Sequence, residues 1–414
     1  MGNRFKDLFT IAAGFFVIML VAMFASNYFN PTVGLCTGIV MFVLGLIPRT
    51  GEKGVLFDTI SPDLTAIASY AGKYQKSLYR RMLTGMSIAS DITLISNIKH
   101  ALNLTKLTIN NGPKPYTGNY KSKGNDLEYS GRVLSVDAFQ RDLSIHPAKY
   151  RTSYLGEERG AGENVENKRI PFAQFTNEAI IDENATKLSN ITGWKGVGKD
   201  KFEAYDPATA YAVGKLISFP LDDEVNYFKV ITATNAGESP ITHKLKFEDA
   251  NALAITVGLG VRLSDGRAST DIKKVVSTGS ILTGTYQKMK NVYRAHTDAD
   301  KAAYVMNMYC SITALEHLMD DYEDLVSKYT TPDGSIIYLP GTNRKCIVKP
   351  VSWMAGSEQL VCTPKSNLMM GTDLLSDMST IGVKTNMYTV DLGITGVLGF
   401  NYQDGDIITM NDMD

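Results

Sequence analysis

Lys345 to Asp377, KCIVKPVSWMAGSEQLVCTPKSNLMMGTDLLSD, is the stretch on which the organisation of this chain turns. β-Branched and apolar residues flank the small turn Ala355-Gly356-Ser357, which predicts two extended segments joined as a hairpin. The second segment runs into a Gly371-Thr372-Asp373 corner. Nothing in the stretch sets a nucleophile beside a base and an orienting group, so it reads as structural and not catalytic.

The whole chain has 414 residues, enough for a sizeable core and two or more compact units. Its 42 basic and 43 acidic residues nearly cancel, which argues against tight, sequence-independent binding of nucleic acid by the whole surface and leaves a local basic patch open. Cys36, Cys310, Cys346 and Cys362 are far apart. That spacing argues against a zinc ribbon or a disulfide scaffold and for buried, reduced thiols.

Near the N-terminus, Leu8 to Ala25 is an uncharged run preceded by Arg4 and Lys6, and Val33 to Ile47 is a second apolar run closed by Pro48 and Arg49. Together they predict a helical hairpin with both ends on the basic side and Asn27 to Pro31 at the far turn. Three readings of the block stay open: a membrane insertion of short spans, a secretory or otherwise removable leader, or two helices buried in an assembly.

Beyond the turn-rich linker Gly51 to Phe57, Ser61-Pro62-Asp63 opens a helix. Leu64, Ile67, Ala68, Ala71, Leu78 and Met82 follow helical spacing, and Lys73, Lys76, Arg80 and Arg81 form a basic face. Such a face suits solvent, an acidic neighbour or packaged DNA. Asp91 to Ile98 and then LTKLTIN alternate as strands before Asn111-Gly112. From Leu127 to Tyr154 the chain is extended but its apolar residues are thinly spread among charges, so it cannot bury a core alone and needs another surface. Leu127, Tyr129, Val133, Phe139, Arg141 and Tyr150 are the expected contact residues of this arm on a neighbouring subunit. Asp137, Arg141 and Asp142 are candidates for ion pairs there. GEERGAG, Gly156 to Gly162, lacks the Gly-Lys-Ser/Thr ending of a phosphate loop and reads as a loop tip.

Phe172 to Trp194 predicts a long helix with Phe172, Phe175, Ala179 and residues from Asn190 on its buried side, ended at Gly193 or Gly196. Glu178, Asp182 and Glu183 have no partner base and read as a solvated acidic face rather than glycosidase carboxylates. Ala204 to Asp249 then resembles a small three-stranded β module of chitin-active enzymes and phage structural proteins, on Tyr205, Tyr211, Gly214, Tyr227, Ala236, Gly237 and Pro240. Phe247 stands where that module has its closing Trp. The resemblance implies a glycan platform of Tyr205, Tyr211, Tyr227 and Phe247, although the same aromatics suit a small core.

Ala254 to Leu263, Val275 to Leu282 and Ala302 to Cys310 read as strands, and Ile312 to Tyr329 as a helix with Leu315, Leu318, Tyr322, Leu325 and Val326 on one face. Glu316 and His317 are adjacent and so point apart, and Asp320, Asp321, Glu323 and Asp324 lack the glycine-centred loop of a calcium site. No metal and no cofactor is implied. Tyr388 to Met410 returns as β structure with a turn at Asp404-Gly405.

The Trp353-bearing strand, the turn, LVCTPKSNLMMGTDLLSD and the late Asp-rich strand together resemble the C-terminal part of tailed-phage major capsid proteins with the Hong Kong 97 fold, in particular those of phages of gut Bacteroidetes. The resemblance implies an α+β fold divided as follows: hydrophobic helical hairpin 1–50, arm, helix and first strand 51–104, extended loop 105–169, spine helix 170–202, inserted all-β module 203–250, axial domain 251–349 and peripheral return strands 350–414. It implies no enzyme. The expected role is self-assembly into hexamers and pentamers of an icosahedral virion shell in the host cytoplasm. The implied partners are copies of itself, portal and scaffolding proteins, packaged double-stranded DNA by non-specific contact and a host surface glycan. Transient membrane association would run through residues 8–47. The rival reading is a membrane-anchored, glycan-binding surface protein.

Overall fold

The computed structural model describes residues 64–110, 112, 113, 115, 116, 118, 126–146, 172–221, 224–326, 337–373, 381–386 and 389–413. The N-terminal apolar block, the GEERGAG loop and Tyr150 lie outside these residues.

The elements follow in chain order: helices α1 (Leu64–Lys73), α2 (Gln75–Gly85) and α3 (Ser87–Asp91), then strands β1 (Thr93–Ile95), β2 (Ala101–Ile109), β3 (Leu127–Ser135) and β4 (Asp137–Ile145). Helix α4 (Phe172–Lys187) runs on as a wider π-helical segment, Leu188–Lys195, and stops at Gly196. Strands β5 (Glu203–Ala204), β6 (Leu216–Leu221), β7 (Glu224–Val230) and β8 (Phe247–Asp249) build the inserted module. Then come α5 (Asn251–Ala254), α6 (Leu259–Ala268), β9 (Lys273–Val275), α7 (Thr285–Arg294), α8 (Asp298–Ala303), β10 (Met306–Cys310) and α9 (Ile312–Val326). The chain closes with β11 (Ile337–Tyr338), β12 (Cys346–Pro350), β13 (Val361–Thr363), β14 (Leu368–Thr372), β15 (Ile381–Thr385), β16 (Val390–Tyr402) and β17 (Thr409–Asn411). The fold is α+β.

Two mixed sheets carry the architecture. The first is built on β16, with β14 and β15 along one edge, β4 along the other, and β1 parallel to β14. The second runs β11-β12-β10-β13-β17-β9. The expected hairpin of Lys345 to Asp377 is therefore corrected. Its segments β12 and β13 do run in opposite directions and the turn is present, with Gly356 at φ 75°, but β10 lies between them. Residues 351–360 form a connection long enough to step over a strand. The same connection sends Trp353 into the main core beside Trp194 and Tyr309, with ring centroids 5.1 and 5.9 Å away, and its Nε1 donates to Asp91 Oδ2 at 3.1 Å.

The chain passes from one sheet to the other at β13 to β14 and again at β16 to β17, and Asn367 fastens the two crossings together. Its Nδ2 donates to the Asp404 carbonyl and its Oδ1 accepts from Asp404 N–H, both at 2.8 Å, while the Gln403 N–H donates to its carbonyl at 3.0 Å. Being buried and fully bonded, this amide stabilises the crossing instead of costing its desolvation.

Other expectations are corrected as well. Ala254 to Leu263 holds no strand: α5 and α6 occupy it, and its glycines serve close approach, since a Cβ on Gly260 would stand 2.8 Å from the Trp194 ring. The strand expected from Val275 to Leu282 ends at Val275, and the chain beyond is held by side chains, Asp412 accepting from Ser277 N–H and Glu358 from Ile281 N–H. Only Met306 to Cys310 of the stretch from Ala302 is strand, and all five residues are buried. The inserted module has four strands, not three, because β5 adds parallel to β6. Ala179 is exposed, and the inner face of α4 carries Asn177, Ile181, Asn184 and Ala185 instead.

His296 is sealed between the second sheet and α7. Its Nε2 lies 2.7 Å from Thr409 Oγ1 and 3.1 Å from the Cys362 carbonyl, and Nδ1 has no partner. Because Thr409 Oγ1 donates to the Val292 carbonyl, it accepts from His296, which fixes the neutral, Nε2-protonated ring. Burial holds its pKa down at about 4 against the usual 6.5, with Asp300 pulling the other way. Above pH 6.5 both folded and unfolded rings are neutral. As pH falls toward 4 only the unfolded chain takes the proton, and up to about 3 kcal/mol of stability is expected to be lost. Urea unfolding at pH 7 and pH 4.5 checks this: His296→Gln is expected to flatten the difference.

Candidate assembly surface

β2 and β3 form a two-stranded antiparallel ribbon in which Ala101 faces Ser135 and Ile109 faces Leu127. Directly opposed residues share a face and neighbours along a strand alternate, so the register sorts the ribbon into two faces. One carries Leu104, Leu134, Lys106 and Arg132. The other carries Val133, Leu107, Tyr129, Ile109 and Leu127.

The first face is anchored to the body. Leu104 and Leu134 are buried with Ile98. Lys106 Nζ bonds Asp404 at 2.7 Å and Asp406 at 2.5 Å. Burial opposes its charge, and the two carboxylates more than offset that, holding its pKa above the usual lysine value. Arg132 pairs with Asp271 and lies over the Tyr402 ring, 4.2 Å from its centroid, while the Tyr402 hydroxyl donates to Asp271 at 2.8 Å. Burial, helped by that carboxylate, raises the Tyr402 pKa. Asn401 Nδ2 donates to the Val133 carbonyl at 2.9 Å and Gln403 Nε2 to the Thr105 carbonyl at 3.1 Å.

The second face is bare. Ile109 and Tyr129 are each 69% exposed, Leu127 55%, Val133 52% and Leu107 49%. Single exposed apolar residues are ordinary, but a row of them on one face of a ribbon marks a surface that binds something.

Of the arm residues expected from sequence, Leu127, Tyr129 and Val133 lie on this bare face. Phe139 and Arg141 do not, because β4 pairs along its whole length with β16 and belongs to the chain's own sheet. Phe139 is 5% exposed in the main core. Arg141 bonds Asn184 and pairs with Glu183 at 3.2 Å, and Asp137 accepts from Thr256 Oγ1 at 2.7 Å. The expectation that Leu127 to Tyr154 is one free arm is thus corrected: among the described residues only β3 leaves the body. Leu107 and Ile109 were not anticipated as site residues.

The acidic face of α4 is solvated, as expected, with Asp182 and Glu183 about half exposed, but its carboxylates are also paired. Arg81 reaches Glu178 at 2.6 Å and grips both oxygens of Asp182 at 2.8 and 2.9 Å, and Glu183 meets Lys187 at 2.8 Å. Hydrogen bonds from Arg81 lower the Asp182 pKa, and those from Lys187 and Arg141 lower that of Glu183. Arg81 is 44% exposed, so Arg81→Ala is expected to cost less than about 1 kcal/mol in denaturant unfolding, and less still in high salt.

The four aromatics proposed as a glycan platform do not share a face. Phe247 opposes Val230, which lies on the same side of β7 as Phe228 and Ile217, and with Tyr211 and Tyr205 they fill the module's core. Tyr227 points to the other side, against Phe202 at a ring distance of 4.9 Å. Cys310, Cys346 and Cys362 are buried free thiols, and burial pushes Cys310 up to about 12. Asp321 accepts from Tyr286 N–H at 2.9 Å, and among the described residues no group of three or more His, Cys, Asp or Glu could hold a metal ion. No helix among the described residues is long and apolar enough to cross a membrane.

No protein-family model matches the chain, and no curated protein matches it in sequence. Among solved structures it is similar to a chain of the satellite phage P4 procapsid that includes the size determination (Sid) protein, at 11% identity and a TM-score of 0.45, covering 81% of this chain and 89% of that one. It is also similar to the capsid of a native GTA particle, at 7% identity and a TM-score of 0.43, over 79% and 89% of the two chains. A virus-like particle from Pyrococcus furiosus gives 6% identity, a TM-score of 0.39 and coverage of 83% and 99%. At such TM-scores these likenesses fix no role for any residue of this chain.

Proposed function

We propose that this chain is a structural major capsid protein of the Hong Kong 97 type, which self-assembles into hexamers and pentamers of an icosahedral shell around double-stranded DNA. The observation that carries the reading is the ribbon of β2 and β3, clamped to its own body on one face and apolar and bare on the other. A subunit built this way is incomplete alone. A second copy supplies the missing cover, and repetition of that contact by symmetry closes a ring or shell. The order of elements supports the reading: ribbon, long helix, inserted module, mixed sheet and a return through Leu360 to Asp373, within the stretch that carries the resemblance. On this reading the inserted module decorates the shell.

Producing the full chain and examining it by sedimentation and electron microscopy tests the proposal. Closed shells or ring-shaped capsomers are the expected result. A chain that stays monomeric at every concentration and salt condition tried would rule it out.

A further inference from the structure

We infer that the inserted β module joins copies of the chain head to tail: its end at Val213, Ile231 and Leu245 receives the acidic β6–β7 tip, at Leu221, Glu224 and Val225, of a second copy's module. This rests on the capsid reading and names what the module binds. The first end is gathered by backbone hydrogen bonds. Gly214 N–H donates to the Val230 carbonyl at 2.7 Å and Ile231 N–H to the Lys246 carbonyl at 2.9 Å, so Val213, Ile231 and Leu245 each stand beside this row. Leu245 is 92% exposed and Val213 64%, in a module whose core aromatics are turned inward. One exposed apolar residue is ordinary, but three together mark a surface that binds something. Lys215, Lys229, Lys244 and Lys246 flank them in sequence. Lys215 pairs with Glu203 and Lys246 with Glu238, and Glu248 stands opposite Lys229 in the register. Lys244, beside Leu245, holds no ion pair among the described residues.

Charge selects the occupant. At the far end of β6, Leu221 opposes Glu224, and Val225 beside it is 55% exposed. From Leu216 to Phe228 the sequence holds three acidic residues and no basic one. Two such tips repel each other, whereas an acidic tip with an apolar residue fits a basic end with an apolar patch. The two ends of β6 are about 17 Å apart. One module therefore carries both halves of the contact and cannot join them itself. Its own body leaves both ends free, because it holds the module through Leu216 and Tyr227, which pack with Phe202 and Ala250.

Area sets the strength of association. A few side chains bury far less than the ~800 Å² per partner found in a stable pair, and the charged part is screened by salt. A single contact is therefore weak. It forms where copies are already held as neighbours, because the second binding event is then intramolecular. A head-to-tail contact is heterologous, so it links modules into rings or rows over the shell instead of isolated pairs.

The test uses particles of the full chain carrying Cys36→Ser, in which the other native thiols, Cys310, Cys346 and Cys362, are buried. With Leu245→Cys and Val225→Cys together, mild oxidation is expected to give a ladder of disulfide-linked oligomers on a non-reducing gel, several-fold more than either variant alone. The ladder is expected to fade when oxidation is done in high salt. Adding Lys244→Glu is expected to reduce it several-fold, and adding Glu224→Lys as well to restore it, a rescue that a folding defect would not show. Particles in which the double cysteine variant links no better than Leu245→Cys alone would overturn the contact while leaving the capsid reading in place. Capture of acidic phospholipid vesicles by the full chain, lost in Leu245→Glu and without such a ladder, would assign the patch to a lipid surface and overturn it too. A parental chain that forms no particles overturns both readings.

Discussion

Substituting Leu107→Ser and Tyr129→Ser together is expected to leave the chain folded and to abolish assembly. The two residues oppose each other in the ribbon and are 49% and 69% exposed, so the isolated subunit loses little by the exchange. Its thermal unfolding should stay with the parent's. In a shell the same side chains are covered by a neighbour. Removing roughly 200 Å² of apolar ridge from each contact forfeits about 5 kcal/mol, and the loss repeats at every contact around a ring. Sedimentation velocity should show only the free subunit, and electron micrographs no particles. Particles at parental yield would mean that the bare row is not the assembly surface.

Gly399→Ala is expected to damage both fold and assembly. Gly399 opposes Gly371 across β14 and β16, and the base of β3 crosses the sheet over this pair. A Cβ at 399 would fall inside the Ser135 carbonyl and reach Val136 Cα at 3.1 Å; one at 371 would press on Ile98 at 2.9 Å and Val136 at 3.0 Å. The obstacle is backbone, which cannot rotate away as a side chain can. The cost should reach or exceed about 3 kcal/mol, the upper end for overpacking. What relaxes is the base of the ribbon, so the ridge is re-aimed and assembly fails with the loss of stability. A denaturant midpoint within about 1 kcal/mol of the parent's, with normal particles, would contradict this account.

The two predictions separate what Leu107 and Gly399 do. The first removes a contact that only a second copy makes. The second removes the geometry that presents it.

Much of this was legible in the residues. The β2 sequence ALNLTKLTI carries its apolar residues at even positions, Leu102 and Leu104, and then at odd ones, Leu107 and Ile109. In β3 the order is mirrored, with Leu127 and Tyr129 at the tip and Leu134 at the base. Such a change of phase says that the ribbon buries one face near its root and offers the other near its end. The same signal could have identified Leu107 and Ile109. β4 misled because its charges suggested a free arm. Arg141 and Asp137 instead serve α4 and Thr256, partners distant in sequence.

Local composition by itself determined where the ribbon strands and the long helix lie, that the stretch from Leu360 to Thr372 carries extended segments, and that Asp404-Gly405 turns. Those are properties of neighbouring residues, set by alternation, propensity and turn chemistry. Only the tertiary structure decided that β10 separates β12 from β13, that Tyr227 faces away from Tyr205 and Tyr211, and that Gly382 and Gly393, more than ten positions apart, oppose each other across β15 and β16. Strand partners are chosen by contacts between segments far apart in the chain, and a sequence read from end to end holds no term for which distant edge a strand will meet.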